Sequence, residues 1–268
     1  MIEQIIKIAI DAGKAIMEVY HSADFGVEMK ADNSPLTLAD KASDEIIKAA
    51  LTETFPDIPI LSEEGRDIPY EERKDWGKFW LVDPLDGTKE FIKKNDEFTV
   101  NIALIKNNIP VLGVIYAPAL ENQNTEVRIQ KPGEGTFNRI GIPFGTLYYG
   151  QKKSGAFRQV SGSEPEKISV NKDKSRGIIA VRSRSHAAPE EEIIYKEYGV
   201  TKTIPGGSSL KFCKVADGSA HIYFRYGPTM EWDVGAGYAI AESAGAVIEG
   251  IEFNKENLLN SSFLVRSI

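Results

Sequence analysis

Apolar residues at Ile2, Ile5, Ile6, Ala9, Ala12, Ile16, Val19 and Tyr20 recur every three or four positions. That spacing lines one face of a helix and predicts an opening amphipathic segment. Residues 25–30 read as extended. Ser34-Pro35 breaks the chain, and a second helix, started by Thr37 or a neighbour, runs to about residue 54, with Asp40 near its beginning. The pattern then changes to short apolar runs that end in acids. Ile58-Pro59-Ile60-Leu61 leads into Ser62-Glu63-Glu64-Gly65, and Phe79-Trp80-Leu81-Val82 leads into Asp83-Pro84-Leu85-Asp86-Gly87-Thr88. Each reads as a buried strand that delivers carboxylates at its C-terminal end. Residues 98–105 and 111–116 form a predicted hairpin around Asn107-Asn108.

Residues 119–147 are rich in Asn, Gln, Gly, Pro and Thr and read as a long connection or a decorated hairpin. Beyond them, strands are expected at 177–181, 202–204, 220–224 and 263–265, with helices at 189–198, 208–217 and 232–244. The fold class is mixed α and β. We read the chain as a single unit of two αβ halves, residues 1–150 and 151–268, the second completing a site begun by the first.

Composition narrows the function. Of 268 residues, 42% are hydrophobic and 26% charged, so the chain can build a core and wholesale disorder is excluded. Lys and Arg number 32 against 39 Asp and Glu, a formal charge of −7. That balance argues against a nucleic-acid polymer as partner and leaves a small phosphorylated molecule open, if cations supply local positive charge. One cysteine, Cys213, excludes an intrachain disulfide and a cysteine-rich zinc site. No apolar run is long enough for a transmembrane segment, so the expected location is the cytoplasm. Oligomeric state is not legible.

The segment from Asp83 to Thr88 carries the most chemistry. Pro84 has no N–H, and the chain is expected to turn there, bringing Asp83 and Asp86 together with the Leu85 carbonyl. These are hard oxygen donors suited to Mg²⁺. Gly87 permits unusual backbone angles, and Thr88 opens a short helix whose N-terminal end favours phosphate. Taken singly, each acidic motif also fits an ordinary turn, a solvated loop or a helix start: Asp83–Asp86, Glu63-Glu64, Glu231-Trp232-Asp233 and Asp40 alike. If they converge they repel one another and need divalent cations. Cys213, His21, His186 and His221 offer no nucleophile–base pair, which argues against covalent catalysis. Arg182, Arg184, His186, Lys211 and Arg225 are candidates to meet a remote phosphate.

The run Trp80-Leu81-Val82-Asp83-Pro84-Leu85-Asp86-Gly87-Thr88-Lys89-Glu90-Phe91 resembles the signature of the inositol monophosphatase superfamily. Glu63-Glu64 and Trp232-Asp233 resemble its other acidic motifs. Gly235 departs from the usual Ala or Cys. Within the superfamily, residues 30–40, 61–64, 208–213 and 227–233 are most similar to the 3′(2′),5′-bisphosphate nucleotidases. The resemblance implies a layered αβαβα sandwich and a lithium-sensitive, Mg²⁺-dependent phosphatase with two or three ions per site. It implies metal ligation by Glu63, Asp83, the Leu85 carbonyl, Asp86 and Asp233. Asp40, Thr88 and Glu63 are implied as catalytic, and Gly87, Thr88, Ser185, His186, Ser208, Lys211 and Asp233 as substrate-binding. The substrate implied is 3′-phosphoadenosine 5′-phosphate, hydrolysed to AMP and phosphate by in-line attack of water. An inositol monophosphatase or other sugar phosphatase, and a non-catalytic nucleotide- or cation-binding protein, are the alternatives.

Overall fold

A computed structural model describes residues 1–30, 34–120, 141–184 and 188–268. Helix α1 (Ile2–Tyr20) is followed by the two-stranded ribbon β1 (Glu28–Met29) and β2 (Pro35–Leu36), then by α2 (Leu38–Thr54). Thr37 caps α2 through a reciprocal capping box with Asp40, which explains why the break at Ser34-Pro35 is followed so abruptly by helix. Next come β3 (Ile60–Ser62), a 3-10 turn (Glu63–Gly65), α3 (Tyr70–Arg73), β4 (Lys78–Asp86) and α4 (Thr88–Ile92). Strands β5 (Thr99–Lys106) and β6 (Ile109–Ala117) form the expected hairpin. Asn107 and Asn108 both have positive φ, 50° and 58°, as a tight hairpin turn of matching twist requires.

Strands β7 (Thr146–Gln151), β8 (Gly155–Val160) and β9 (Glu166–Ile168) extend the same sheet. Ala117 pairs with Thr146, so the long polar connection joins antiparallel neighbours; its residues 121–140 lie outside those described. The remaining elements are β10 (Ile178–Ser183), α5 (Glu191–Glu197), β11 (Val200–Gly206), α6 (Leu210–Ala216) and β12 (Ile222–Arg225). They are followed by β13 (Thr229–Met230), α7 (Glu231–Ser243), β14 (Val247–Glu249), β15 (Leu259–Asn260) and β16 (Phe263–Arg266). The first sheet has seven strands in order β3 to β9, parallel only at β3–β4. The second has the order β11-β10-β12-β16-β14.

The sheets stack with helices between and outside them, giving five αβαβα layers. Along β4, Phe79 and Leu81 face one core with α6 and α7, while Trp80 and Val82 face another with α1 and α2. A sheet buried on both faces reads as a continuous apolar run, which is what residues 79–82 are. The outer face of the second sheet packs on α5 through Ala180, Tyr195, Ile222 and Leu264. Helix α7 lies almost against the backbone of the first sheet. A Cβ on Gly113 would stand 2.4 Å from the Ala236 carbonyl oxygen, and one on Gly235 would stand 2.8 Å from Leu81 Cδ2. The small residues of α7, Gly235 included, therefore set the distance between layers.

Two expectations about the backbone need correction. The chain does not turn at Pro84. Strand β4 continues to Asp86, and the irregularity is a register shift between Asp83, opposite Asn101, and Asp86, opposite Thr99. Pairing with β3 has already ended at Ser62↔Val82, so the missing N–H of Pro84 costs no ladder bond on that side. Strands β2, β7, β8, β9, β13, β14 and β15 were not foreseen. In β7 and β8 glycines, aromatics and polar residues interleave without a clean alternation or an apolar run, and the others are only two or three residues long, too short to show a pattern.

Candidate active site

The acidic motifs arrive on different elements. Glu63 opens the 3-10 turn after β3, Asp83 and Asp86 end β4, Asp40 sits in the first turn of α2 and Asp233 in the first turn of α7. Glu63, Asp86 and Asp233 line one cavity of about 220 Å³ with Gly87, Thr88, Ser208, Ser209 and Lys211. Asp83 and Asp40 lie beneath it, 1% and 2% exposed. Burial, and then the charges of Glu63, Asp86 and Asp233, push the Asp83 carboxyl well above the usual carboxylate range. Burial, with Asp86 and Glu63, does the same to Asp233. Burial likewise raises Glu63, outweighing the opposing pull of Lys30, and raises Asp40 despite its bonds to Thr37. Such crowding favours an added cation.

Each carboxylate is oriented. Lys30 donates to Glu63 Oε1 at 2.7 Å and to Glu64 Oε1 at 2.6 Å. Burial pulls the Lys30 ammonium down, but these two acids hold it above its ordinary value. Asp83 Oδ1 accepts from the Leu85 N–H at 3.1 Å. Ser209 Oγ stands 2.6 Å from Asp86 Oδ2 and 2.9 Å from the Asp233 carbonyl, and accepts from Asn101 Nδ2 at 2.7 Å. Asp233 Oδ2 accepts from the Met230 N–H at 2.9 Å. Asp40 Oδ2 accepts from the N–H and hydroxyl of Thr37, which leaves Oδ1 to the Thr88 hydroxyl at 3.1 Å. That hydroxyl is also 3.3 Å from the Leu85 carbonyl and, with one proton, serves one acceptor at a time. Among the described residues no three acids, histidines or cysteines form a ready-made ion cage. Lys30, Ser209, Asn101 and the Met230 N–H are bonded to oxygens of Glu63, Asp86 and Asp233. The donor chemistry, carboxylates and a carbonyl, still fits a hard divalent ion.

Gly87 has φ +86°, which a residue with a side chain rarely adopts. A Cβ there would meet Ser208 Cβ at 3.1 Å and the Glu97 carbonyl at 3.2 Å. The chain thus passes from β4 into α4 close under the loop that precedes α6. The lining is also cationic: Lys211 and Arg225 line the same cavity with Ser183, Tyr223 and Thr229. Lys211 donates to the Ser208 carbonyl and stands 5.6 Å over the Tyr223 ring. Burial pushes its ammonium below the usual value, opposed by Asp86.

Glu63, Asp86, Gly87, Thr88, Ser208, Lys211 and Asp233, all expected from the sequence, line this cavity, and Asp83, Asp40 and the Leu85 carbonyl adjoin it. Ser185 and His186 lie outside the described residues. Two of the candidate phosphate partners are used elsewhere. Arg182 pairs with Glu191 and Glu192, and Arg184 makes a two-pronged pair with Glu97, both contacts at 2.9 Å. His221 accepts from the Ile179 N–H and is structural. The sequence reading missed Thr99, whose hydroxyl donates to Asn101 Oδ1 at 2.9 Å and stands 2.7 Å from Ser208 Oγ, along with Asn101 and Ser209. The signal available for the first two was their alternation with Val100 and Ile102 along β5.

The profile of the inositol monophosphatase family matches residues 1–267. A protein of Escherichia coli O157:H7 named 3′(2′),5′-bisphosphate nucleotidase CysQ is 41% identical over 273 aligned positions, covering 99% of each chain. The crystal structure of CysQ from Bacteroides thetaiotaomicron, titled a bacterial member of the inositol monophosphatase family, superposes with a TM-score of 0.79. Its identity is 39%, over 98% of this chain and 96% of that one. An inositol monophosphatase from Anabaena (Nostoc) sp. PCC 7120, 22% identical with a TM-score of 0.71 over 99% and 89% of the two chains, shares the fold. The chain is a member of the inositol monophosphatase family.

Proposed function

We propose that the protein is a Mg²⁺-dependent phosphatase that removes the 3′-phosphate of 3′-phosphoadenosine 5′-phosphate, giving AMP and phosphate. One observation carries this reading: a single cavity is lined both by the acids Glu63, Asp86 and Asp233 and by the cations Lys211 and Arg225. A monophosphate needs only the acidic, metal-binding part of the lining; a bisphosphate uses the cations as well. The names borne by the relatives at about 40% identity support the same substrate class.

Glu63, Asp83, Asp86, Asp233 and the Leu85 carbonyl would hold the metal, with Lys30 yielding its hold on Glu63. When bound, Mg²⁺ supplies the positive charge that neutralises the carboxylates and polarises the phosphoryl group. Gly87 and Thr88, at the opening of α4, carry the phosphate. Thr88 directs its single proton at Asp40 Oδ1, which leaves its oxygen free to accept from the attacking water. Asp40, whose basicity burial raises, is the proton's destination. The water oxygen forms the new P–O bond as the bond to the 3′-oxygen breaks, and that oxygen leaves as a hydroxyl, taking a proton from solvent while Asp40 returns to solvent the one it received. Lys211 and Arg225 bind the 5′-phosphate. A lone cysteine, buried within the fold, suits a reducing cytoplasmic setting.

The direct test is phosphate release from 3′-phosphoadenosine 5′-phosphate, inositol 1-phosphate and fructose 1,6-bisphosphate, with and without Mg²⁺ and lithium. The bisphosphate nucleotide should be preferred, turnover should need Mg²⁺, and lithium should inhibit. Preference for inositol 1-phosphate moves the assignment to the sugar phosphatases. Asp83→Asn should abolish turnover; near-normal activity in that variant refutes the metal assignment.

A further inference from the structure

Apart from the acids of the cavity, three buried polar side chains from distant parts of the chain are tied together. Glu231 has no exposure, Arg73 2% and Asn254 4%. Glu231 is the first residue of α7, two before Asp233. Its carboxylate accepts from the backbone N–H of Asn254 at 2.7 Å and of Lys255 at 3.0 Å. The Asn254 side chain accepts from the Arg73 guanidinium at 3.2 Å and donates to the Arg73 carbonyl at 3.0 Å. The same guanidinium donates to the Glu256 carbonyl at 2.9 Å and lies 5.1 Å over the Tyr70 ring. A second tie runs alongside: Thr229 pairs with Asn260, Met230 with Leu259, and the Glu231 N–H donates to the Leu258 carbonyl at 2.9 Å.

The arrangement costs free energy, because a buried carboxylate and a buried guanidinium must each be bonded to be tolerated. Apolar side chains would fill the space at less cost. What charged, forked hydrogen bonds add is direction. Direction matters here, since the first turn of a helix has no intrahelical partner for its N–H groups and frays most readily. Asp233 stands in that turn and faces the repulsion of Asp86 and Glu63. Left unanchored, the turn would swing its carboxylate out of the cavity.

We propose that Glu231, with Asn254 and Arg73 behind it, is a positioning residue that aims Asp233 into the metal pocket. It touches neither substrate nor metal. The inference rests on the metal role proposed above for Asp233.

The test is Mn²⁺ binding to the metal-depleted full chain without substrate, followed by electron paramagnetic resonance, for wild type, Asp233→Asn, Glu231→Gln and Asn254→Ala. Folding is checked by circular dichroism. Loss of the positioning group should weaken Mn²⁺ binding about tenfold in folded Glu231→Gln, within the range for groups that orient metal ligands. At saturating Mg²⁺ the same variant should lose kcat with little change in KM. Asn254→Ala, which loosens the anchor without touching α7, should show the same shift and carries the test if Glu231→Gln does not fold. Wild-type Mn²⁺ affinity in both folded variants, with only their melting temperatures lowered, overturns the inference. Wild type that fails to bind Mn²⁺, or Asp233→Asn that binds it as tightly, overturns the metal reading and the inference with it.

Discussion

Lys211 shows how one side chain separates substrate classes. Its ammonium is nearly buried, held by the Ser208 carbonyl over the Tyr223 ring, in the cavity that Asp86 and Asp233 also line. A buried cation without a full set of partners is poised for an anion. Losing a charge-assisted bond costs about 1.5–3 kcal/mol, so Lys211→Ala should raise KM for the bisphosphate roughly tenfold or more. KM for a small monophosphate should move little; equal effects on both substrates would favour the sugar-phosphatase reading. Nothing in Ser-Ser-Leu-Lys as letters marks this lysine off from a solvated one. Arg182 and Arg184 looked as promising in the sequence, yet acids on α5 and at Glu97 claim them. Which cation is left to a ligand depends on which acids come near it, and these pairs span up to 87 positions of chain.

Strand β4 and the turn into α4 form the element on which the site is built. The apolar run 79–82 and the acids after it were legible because a doubly buried strand can show no polar residue until it leaves the core. The bulge between Asp83 and Asp86 was not, since it depends on the partners: β5 continues opposite while β3 has ended. Gly87 carries the consequence. Its φ of +86° strains any side chain, and a methyl group would crowd Ser208 Cβ at 3.1 Å. Gly87→Ala should cost about 1–2 kcal/mol from the left-handed backbone alone, read as a lower midpoint in urea unfolding. Phosphatase activity should fall by more than the stability loss explains, because α4 would be displaced from the cavity. Wild-type kcat/KM in a folded Gly87→Ala protein would show that the turn does not carry the phosphate.

Across the whole molecule, five layers bring acids from positions 40, 63, 83, 86 and 233 to one place. Without a cation their mutual repulsion opposes folding, so metal and stability are linked. Binding to the folded state alone stabilises by about 2.7 kcal/mol at a hundred times the dissociation constant. Saturating Mg²⁺ should therefore raise the melting temperature by roughly 5–10 °C. Asp83→Asn removes one repelling charge, so its metal-free melting temperature should equal or exceed that of wild type, and Mg²⁺ should no longer shift it. A large Mg²⁺ shift in Asp83→Asn would place the ion elsewhere. Scanning calorimetry with and without EDTA decides between these outcomes.

What the order of residues settled alone was local and periodic: the opening amphipathic helix, a second helix after the break at Ser34-Pro35, the Asn107-Asn108 turn, the apolar strands with acidic ends and the family motifs. Such features need only neighbours a few positions away, where helix and strand geometry fix who faces whom. Folding in three dimensions chose among readings that a string of letters leaves equal. It set the continuation of β4 past Pro84, the addition of β7 to β9, the capture of Arg182 and Arg184, the entry of Asn101 and Ser209 into the acidic cluster, and the anchoring of α7 by Arg73 and Asn254. Each of these depends on charge or packing between residues far apart in the chain, and only the layered fold brings them within bonding distance.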